Sequence, residues 1–427
     1  MKKNSSLLLL FLLFLTSCQN NQNENNEFSF ATTVATEAYR YEDARFLLTI
    51  DQAIIDFQFM WEFLDEHLPS FNLIERISRT SVEDIREEGM LYLMSHDSDF
   101  ISIRDFHDFL AQHLGIFHSL SHLSVVGSGI AEILLHPDNL SLIFEEIIFD
   151  LEWTQAVYGH LLSFEGIVIH EAVNSRPQFQ IIDDYTAVID ILSFLMFDHE
   201  SDEFHKLYLS FYEEATAFGI ENLIFDISRN GGGNTRHWIE HIVAPNIEEE
   251  VFFERFVFAR DTDLVVNYID FWFDIWYNRT VEMRSTSGIP IEIMHPEDLF
   301  ESSLYGVIED SILPNNNGKP AFEGNIFVLI DGFSFSASDA FAHFVYQTDF
   351  ATLIGRPTGG SGIGIQPMAF SLPESGLLVR FDVFYGINAD GSANQGVGTT
   401  PHYFSNDYFP LETALRIIEE RRSTEQD

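Results

Sequence analysis

The sequence is short of positive charge and has a single cysteine. Lys and Arg total 22 against 67 Asp and Glu, which gives a formal net charge of -45. This balance excludes nucleic acid as an expected partner, because phosphate binding depends on Lys and Arg. The only cysteine, Cys18, leaves no partner for an internal disulfide. The chain also lacks internal repeats and any second hydrophobic span after its N-terminal apolar run.

The chain has ample material for a folded core. It has 427 residues, of which 46% are hydrophobic and 42 are Phe. This composition excludes a disordered protein, and the length suits roughly two to three domains.

The N-terminus has the pattern of an export signal. Lys2 and Lys3 precede an apolar run from Leu7 to Leu15, which is too short for a confident transmembrane span. The ending "LTSC" resembles a bacterial lipobox, so we expect a signal peptide over residues 1–17 and lipidation of Cys18; an incidental cysteine is the alternative. Residues 18–38, polar at Gln19–Glu27, are predicted to be a flexible tether. We expect an exported protein held by lipid at the outer face of the cell membrane.

The patterns predict a helical N-terminal domain over residues 39–126, a connecting segment over 127–185 and an α/β core over 186–427. Strands alternating with helices indicate parallel strands in that core. An aromatic-rich insertion at 261–323 is expected to contribute rings to the core, with a substrate-covering role as the alternative. The predicted helices are Asp51–Leu68, Ser81–Met94, Ser102–Gly115, Asp202–Gly219 and Asn234–Val243, and the predicted strands include Ala187–Phe194, Glu221–Ser228, Asn325–Asp331 and Ala351–Gly355.

A glycine loop follows one buried strand in "LIFDISRNGGGNT", Leu223 to Thr235. Its glycines permit close approach of a ligand, and N–H groups near the following helix can hold an anion or an oxyanion. A tight strand-to-helix turn is the plainer alternative. A phosphate loop is excluded, because no Gly-Lys-Ser/Thr follows.

Serines stand at alternate positions in "GFSFSASDAF", Gly332 to Phe341, between a strand and a helix. A serine on such a turn gains an exposed oxygen, and the next N–H becomes an oxyanion donor. Helix capping competes with this interpretation, because Ser336 and Asp339 have capping-box spacing.

Ser121 and His122 are adjacent in "FHSLSHLSV", Phe117 to Val125, and histidine is one of the side chains that can serve in acid–base chemistry. A structural histidine is the alternative. His118 and His122 are four residues apart, as are His237 and His241. That spacing suits a metal on a helix, but no third ligand is evident, and we expect no metal and no cofactor.

Taken together, four motifs resemble the carboxyl-terminal processing, or tail-specific, serine peptidases, of which the tricorn core protease is a relative. They span roughly Ala187 to Pro401 in the family's order: "DISRNGGG", "LIDGFSFSASDAFA", "IGRPTGGSGIG" and "NQGVGTTP". The resemblance implies a crotonase-like (ClpP-like) spiral β-core with Ser336 as nucleophile. It implies an oxyanion hole from the N–H groups of Ala337 and Gly232, supported by the motif residues Asp226, Asn230, Gly231 and Gly233.

The sequence departs from the family in its candidate base. Ser361 stands where one branch has a catalytic lysine, and neither Lys206 nor Lys319 is in a matching place. The tricorn-like branch uses a histidine preceded by serine, which Ser121–His122 match; neutral imidazole can take a hydroxyl proton.

That branch also has a glutamate in its catalytic network, and Gln395 occupies the matching position. Gln395 can orient a partner without charge, and Asp390 or Glu374 are alternatives. A PDZ module, which the other branch carries, is not evident in 127–185.

The expected function is a membrane-anchored serine endopeptidase cleaving exported proteins or peptides through an acyl-enzyme. A non-catalytic binding or scaffold protein on the same fold is the main alternative. A metal-dependent hydrolase using His118 and His122 is a third.

Overall fold

The structure, a computed structural model, describes residues 44–136, 144–165, 176–196, 201–289, 291–316 and 318–425. The chain divides into two compact units, Met1–Leu47 and Leu48–Asp427. Only the last four residues of the first unit are described, and they include a 3-10 turn at Ala44–Phe46. The predicted signal peptide, Cys18 and the tether lie outside the described residues.

Helices and strands alternate along the described chain. The helices are α1 Ile50–His67, α2 Phe71–Ser78, α3 Val82–Met94, α4 Ile103–Leu114, α5 His118–Ser121, α6 Ser128–Leu134, α7 Leu151–Glu165, α8 Ser201–Phe218, α9 Thr235–Trp238, α10 Asp263–Tyr277, α11 Ala337–Thr348 and α12 Pro410–Glu425. The strands are β1 Leu47–Thr49, β2 Phe100–Ser102, β3 Ser124–Val125, β4 Gln178–Asp183, β5 Thr186–Asp190, β6 Asn222–Asp226, β7 Val251–Ala259, β8 Arg284–Ser285, β9 Leu304–Ile312, β10 Asn325–Ile330, β11 Thr352–Gly355, β12 Met368–Ser371, β13 Leu378–Phe381, β14 Tyr385–Ile387 and β15 Tyr403–Phe404.

A six-stranded sheet, ordered β15-β11-β10-β6-β5-β4, forms the centre of the second unit. All neighbouring pairs are parallel except β4 with β5 at one edge. Alternate residues of a strand point to opposite faces. On β6, Leu223 and Phe225 join the core formed with α8, α9 and α11, whereas Ile224 joins the core formed with α12. Burial on both faces explains why β6 and β10 are continuous apolar runs.

The parallel strands bring three loops to one edge of the sheet. The glycine loop follows β6, and the serine turn follows β10. The segment after β5 bridges the glycine loop, with Phe194 paired to Gly233. Because β6 lies between β5 and β10, the glycine loop lies between the other two segments.

A second, three-stranded sheet has the order β12-β13-β3. Its strand β3 directly follows the N-terminal helices, so this sheet joins the N-terminal part of the described chain to β13. Val125 and Ser124 of β3 pair with Val379 and Arg380 of β13. On one face of this sheet Phe370 stacks on Phe63 of α1, with ring centroids 4.0 Å apart.

The mixed α/β architecture predicted from sequence is confirmed, and the predicted helices and strands of these regions are present. One helix differs: only Thr235–Trp238 is α-helical, and a π-helical turn continues over Ile239–Val243. In the aromatic-rich insertion, Tyr268 and Phe273 of α10 are buried, as expected of core rings. The domain boundaries stay predictions. No helix within the described ranges has the length and apolarity to cross a membrane.

Candidate active site

Ser336 lies on a strained turn between β10 and α11. Its backbone has φ 57° and ψ -119°, a combination that costs energy for any residue with a side chain. Neighbouring loops hold it there. The Ser336 N–H donates to Gly360 O at 2.9 Å, and the Phe335 N–H donates to Asn230 O at 3.1 Å. The turn is therefore fixed by contacts with two of the motifs that the sequence singled out.

The three serines of this turn have different surroundings. Ser334 is buried and donates to Ile227 O at 2.7 Å, so it joins the turn to the loop after β6. Ser338 is buried, and no described residue hydrogen-bonds its Oγ. Ser336 is half-buried and makes no side-chain cap bond. The capping alternative therefore does not account for Ser336, whose hydroxyl is the accessible one of the three.

The glycine loop passes directly beside Ser336. A Cβ at Gly232 would lie 2.7 Å from Phe335 O and 2.9 Å from Ser336 Cβ, and one at Gly233 would lie 2.3 Å from Phe194 C. Both glycines have positive φ, at 103° and 138°. No larger residue fits at either position without moving the backbone around it.

The N–H groups near Ser336 are not equally free. Gly232 donates to Asn230 Oδ1 at 2.9 Å, while Asn230 Nδ2 donates to Ile191 O at 3.0 Å. Among the described residues nothing accepts from the Ala337 N–H. The Gly232 carbonyl accepts from Phe194 N at 2.9 Å. In a trans peptide the C=O and N–H point in opposite directions, so the Gly233 N–H points away from β5, toward the Ser336 side.

His122 follows the short helix α5 and has a left-handed backbone, with φ 51° and ψ 8°. Its Nδ1 lies 2.8 Å from Asp382 Oδ1, and both side chains are buried. The Asp382 N–H donates to Ser121 O at 2.8 Å, which fixes the two segments to each other. The His122 ring lies 4.6 Å from the Phe335 ring, centroid to centroid. The fold thus brings His122 beside the residue that precedes Ser336.

The sequence had not singled out Asp382. It directly follows β13 in the apolar run "LLVRFDVFYGI", where an acid interrupts buried residues. An acidic residue within an apolar run was the sequence signal that could have identified Asp382. A buried carboxylate needs a partner, and here the partner is an imidazole from a segment 260 residues away in the chain.

The residues that the sequence suggested for orienting the catalytic histidine make hydrogen bonds to other groups. Gln395 Oε1 accepts from Gly386 N at 2.9 Å and its Nε2 donates to Phe384 O at 2.8 Å, which braces the segment just after Asp382. Glu374 accepts from Gln52 Nε2 at 2.8 Å, and Asp390 accepts from Ser392 Oγ at 2.6 Å. Ser121 Oγ is buried with no partner among the described residues.

Asp339 joins the remaining motifs to the serine turn. Its carboxylate accepts from Gly362 N at 2.9 Å, Asn394 Nδ2 at 2.8 Å and Thr399 Oγ1 at 2.8 Å, and it also bonds Thr358 Oγ1. Ser361, in the first of these loops, is buried with φ 60°. Asp339 thereby positions the loop whose Gly360 carbonyl holds the Ser336 N–H.

Acidic groups gather at the same edge of the main sheet. Asp190 and Asp226 end β5 and β6, and Asp331 follows β10. Burial raises the pKa of Asp190, with Arg229 opposing the shift, and burial also raises the pKa of Asp331. Asp226 accepts from Ser228 Oγ at 2.7 Å, which steadies the start of the glycine loop.

The histidine pairs are not gathered into a metal site. Within the described residues no cluster of three or more His, Cys, Asp or Glu side chains could hold a metal ion. His237 Nε2 lies 3.0 Å from Tyr208 OH, and burial lowers the pKa of His237 to about 3. The His118 side chain lies outside what the structure describes. Lys319 pairs with Glu323 at 3.3 Å, and both side chains are exposed.

Comparisons with known proteins show a family and a similar fold. The model of peptidase family S41 matches residues 185–404, just over half of the chain. The fold is similar to that of mature CPAF complexed with lactacystin, at 13% identity and a TM-score of 0.51, over 83% of this chain and 94% of that one.

Two further solved structures are less similar. A peptidase from Parabacteroides merdae matches at 15% identity and a TM-score of 0.47, over 87% of this chain and 96% of its own. The photosystem II D1 C-terminal processing protease matches at 10% identity and a TM-score of 0.39, over 84% of this chain and 93% of its own. No curated protein matches the chain.

Proposed function

This chain belongs to peptidase family S41, and from that premise we propose that it is a serine peptidase whose nucleophile is Ser336. The observation that carries the proposal is the accessible Ser336 hydroxyl on a strained turn, beside a buried His122–Asp382 pair. Strain at a functional turn is retained when the surrounding structure enforces it, and two loops enforce it here.

In the proposed reaction, His122 Nε2 accepts the Ser336 Oγ proton as Oγ attacks the carbonyl carbon of a peptide bond. The same imidazole then donates that proton to the leaving amine, and a water molecule releases the acyl group in the second half. Asp382 accepts the His122 Nδ1–H at 2.8 Å, which leaves Nε2 free to act as a base and stabilises the imidazolium. The reaction needs no cofactor.

The oxyanion would be held by two backbone N–H groups. Ala337 follows the nucleophile and its N–H has no acceptor among the described residues. For the second donor we assign Gly233, since its N–H points toward the Ser336 side and the N–H of Gly232, predicted from sequence, already donates to Asn230. Such donors stabilise the negative charge that develops on the carbonyl oxygen in the transition state.

The finer features predicted from the sequence belong to the same proposal. We propose the histidine-base branch of the family, because Ser361 replaces the lysine and His122 meets Asp382. The proposal includes the crotonase-like spiral core with its helical N-terminal domain. It also includes export with a lipid on Cys18, so that exported proteins or peptides are the substrates.

Two observations favour the alternative of a non-catalytic binding protein. Gln395 carries no charge where related enzymes have a glutamate, and one candidate oxyanion donor is already hydrogen-bonded. Asp382 answers the first point, because it brings a carboxylate to His122 from the segment just after β13.

Hydrolysis of an unfolded protein separates these functions. The protein without residues 1–17 should cleave reduced, unfolded casein or a fluorogenic peptide mixture, while Ser336→Ala and His122→Ala should lose at least about 1,000-fold in rate. Ser423→Ala is the matched control, since Ser423 is exposed on α12 and its Oγ bonds Glu419 O. Binding without Ser336-dependent cleavage would favour the scaffold function, and loss of cleavage with chelators would favour a metal hydrolase.

A further inference from the structure

Arg380 is a half-buried arginine that makes neither an ion pair with a described carboxylate nor a contact with a described aromatic ring. Three other buried or half-buried arginines meet carboxylates, Arg76 with Asp298 at 2.6 Å, Arg255 with Asp310 at 2.5 Å and Arg260 with Glu301 at 3.6 Å, whereas Arg421 and Arg422 lie over the rings of Phe327 and Tyr185. Arg380 is half-buried, and its one hydrogen bond with a described residue runs from Nε to Ser124 Oγ at 3.2 Å. No described residue accepts from its terminal N–H groups.

The position of Arg380 on β13 places it next to the proposed catalytic residues. Asp382 lies two residues further on, just after β13 ends, and its N–H donates to Ser121 O at 2.8 Å, so the pairing with the segment that leads into β3 continues as far as Asp382. Ser124, the cross-strand partner of Arg380, donates to His122 O at 3.1 Å. The opposite face holds Val379 and Phe381, which are buried. Arg380 therefore lies on the other face from these apolar residues, beside the segments that carry His122 and Asp382.

The same face borders a small cavity of about 30 Å³. Ala369, directly opposite Arg380 on β12, and Leu378, two residues before it, line this cavity with Tyr268 and Pro367, and Arg380 itself is not among the lining residues. Tyr158 OH accepts from Leu378 N at 2.9 Å, so the strand next to the cavity is held in place. A ligand therefore reaches Arg380 not through this cavity but from solvent, because the residue is only half-buried.

Burial is costly for a cation that lacks a partner. Burial lowers the pKa of Arg380, and Asp382 opposes that shift at longer range, while the guanidinium stays charged because its ordinary pKa is so high. In a chain with a net charge of -45, an unpaired guanidinium beside the proposed catalytic residues is also a local exception to a surface that repels anions.

We propose that Arg380 binds a carboxylate of the peptide substrate and so selects acidic over neutral residues near the scissile bond. This rests on the proposed function. The planar guanidinium offers two parallel N–H groups to a carboxylate, a geometry that discriminates well against amides and cations. The carboxylate comes from an Asp or Glu side chain or from the substrate's C-terminus, and the experiment separates these sources.

The test compares fluorogenic peptides that differ only by Glu, Gln or Lys at each position around the cleaved bond, each made with a free or an amidated C-terminus. For the wild type we expect kcat/KM to favour Glu over Gln by about tenfold at one position, or the free over the amidated terminus by a similar factor. Arg380→Met should bring that ratio close to one, and Arg380→Glu should reverse it in favour of Lys. Arg380→Lys should retain part of the acidic preference.

Arg416→Met is the matched control, because Arg416 is an exposed arginine whose acidic partner, Asp407, is 3.5 Å away; its ratio should equal that of the wild type. Equal losses for all peptides in Arg380→Met would show a structural role and overturn the inference, as would a wild type indifferent to charge. If no peptide is cleaved in a Ser336-dependent way, the proposed function fails instead. In that case, binding of the same peptides to Ser336→Ala, measured by fluorescence anisotropy, still tests the role of Arg380. The inference predicts that the Glu peptide binds about tenfold more tightly than the Gln peptide.

Discussion

Replacing Asp382 by asparagine tests the assignment of a residue that the sequence pattern did not reveal. In the wild type the Asp382 carboxylate accepts the Nδ1–H of His122 across 2.8 Å, and its other oxygen is buried without a partner among the described residues. Asparagine has nearly the same shape, so the fold is retained. Its amide either turns NH2 toward Nδ1, or keeps oxygen there and buries an NH2 group that finds no acceptor.

Both arrangements impair His122. An NH2 group at Nδ1 forces the imidazole proton onto Nε2, so that the nitrogen proposed to act as the base cannot accept the Ser336 hydroxyl proton. With oxygen at Nδ1 the tautomer is retained, but the negative charge that stabilises the imidazolium is lost. We expect kcat to fall by about 1,000- to 10,000-fold, which corresponds to about 4 to 5.5 kcal/mol of transition-state stabilisation. KM should change little, because Asp382 does not reach the substrate.

The assay is steady-state hydrolysis of one fluorogenic peptide by the wild type, Asp382→Asn, Gln395→Ala and Glu374→Gln, with thermal unfolding as the check on folding. Gln395 braces Phe384 and Gly386, so we expect a loss of stability and a smaller effect on kcat from its removal. An Asp382→Asn enzyme within about fivefold of wild type would refute the reasoning. A larger loss of kcat in Gln395→Ala than in Asp382→Asn would assign the role of orienting His122 to Gln395.

Three further changes test the surroundings of the site. Gly232→Ala places a methyl 2.7 Å from Phe335 O, so peptide hydrolysis should fall at least about 100-fold, and activity near wild type would contradict the close approach. Asp339→Ala removes the carboxylate that accepts from five donors, of which Thr358 Oγ1 and Thr399 Oγ1 are hydroxyls, and should lower the free energy of unfolding by about 3 to 5 kcal/mol; a loss below about 1 kcal/mol in urea unfolding would remove its bridging role. Burial raises the pKa of Asp56 from 3.8 to about 6, so its contribution to stability is full below about pH 4 and is lost as the pH rises through 6. The unfolding free energy of wild type minus that of Asp56→Asn should therefore fall by about 3 kcal/mol between pH 4 and 7, and a difference independent of pH would contradict the shift.

Local sequence patterns were sufficient for most of the elements that carry the site. The run "NIFVLI" predicts β10 because continuous apolar residues suit a strand buried on both faces, and the structure places Val328 and Leu329 in opposite cores. The glycines after β6 and the serines after β10 were identified from their chemistry, and the parallel order of the strands brings them together.

Contacts between distant segments could not be predicted from the same patterns. The His122–Asp382 pair depends on β3 lying beside β13, a pairing of two short strands with no signature of its own in the sequence. Gln395 was chosen by its place in a motif, whereas the structure uses its amide to hold backbone groups. Motif position did not identify Asp382, which reaches the His122 imidazole from just after β13.

The strained backbone conformation of Ser336 likewise could not be predicted from the sequence. Serine does not prefer φ 57° and ψ -119°, and the conformation exists only because Gly360 and Asn230 hold the turn from both sides. Those partners come from loops 24 residues downstream and 105 residues upstream of the residues that they bind, so no local rule reports them.

The most direct test of the central claim is the site of covalent labelling by a fluorophosphonate, read by mass spectrometry on the folded protein without residues 1–17. The account predicts one phosphonyl adduct, located on Ser336 and absent in Ser336→Ala. It also predicts that labelling is slowed at least about 100-fold in His122→Ala and Asp382→Asn, and is unchanged in Ser423→Ala, which alters an exposed serine of α12. Folded wild type that stays unlabelled from pH 6 to 9, or an adduct on another serine, would contradict it.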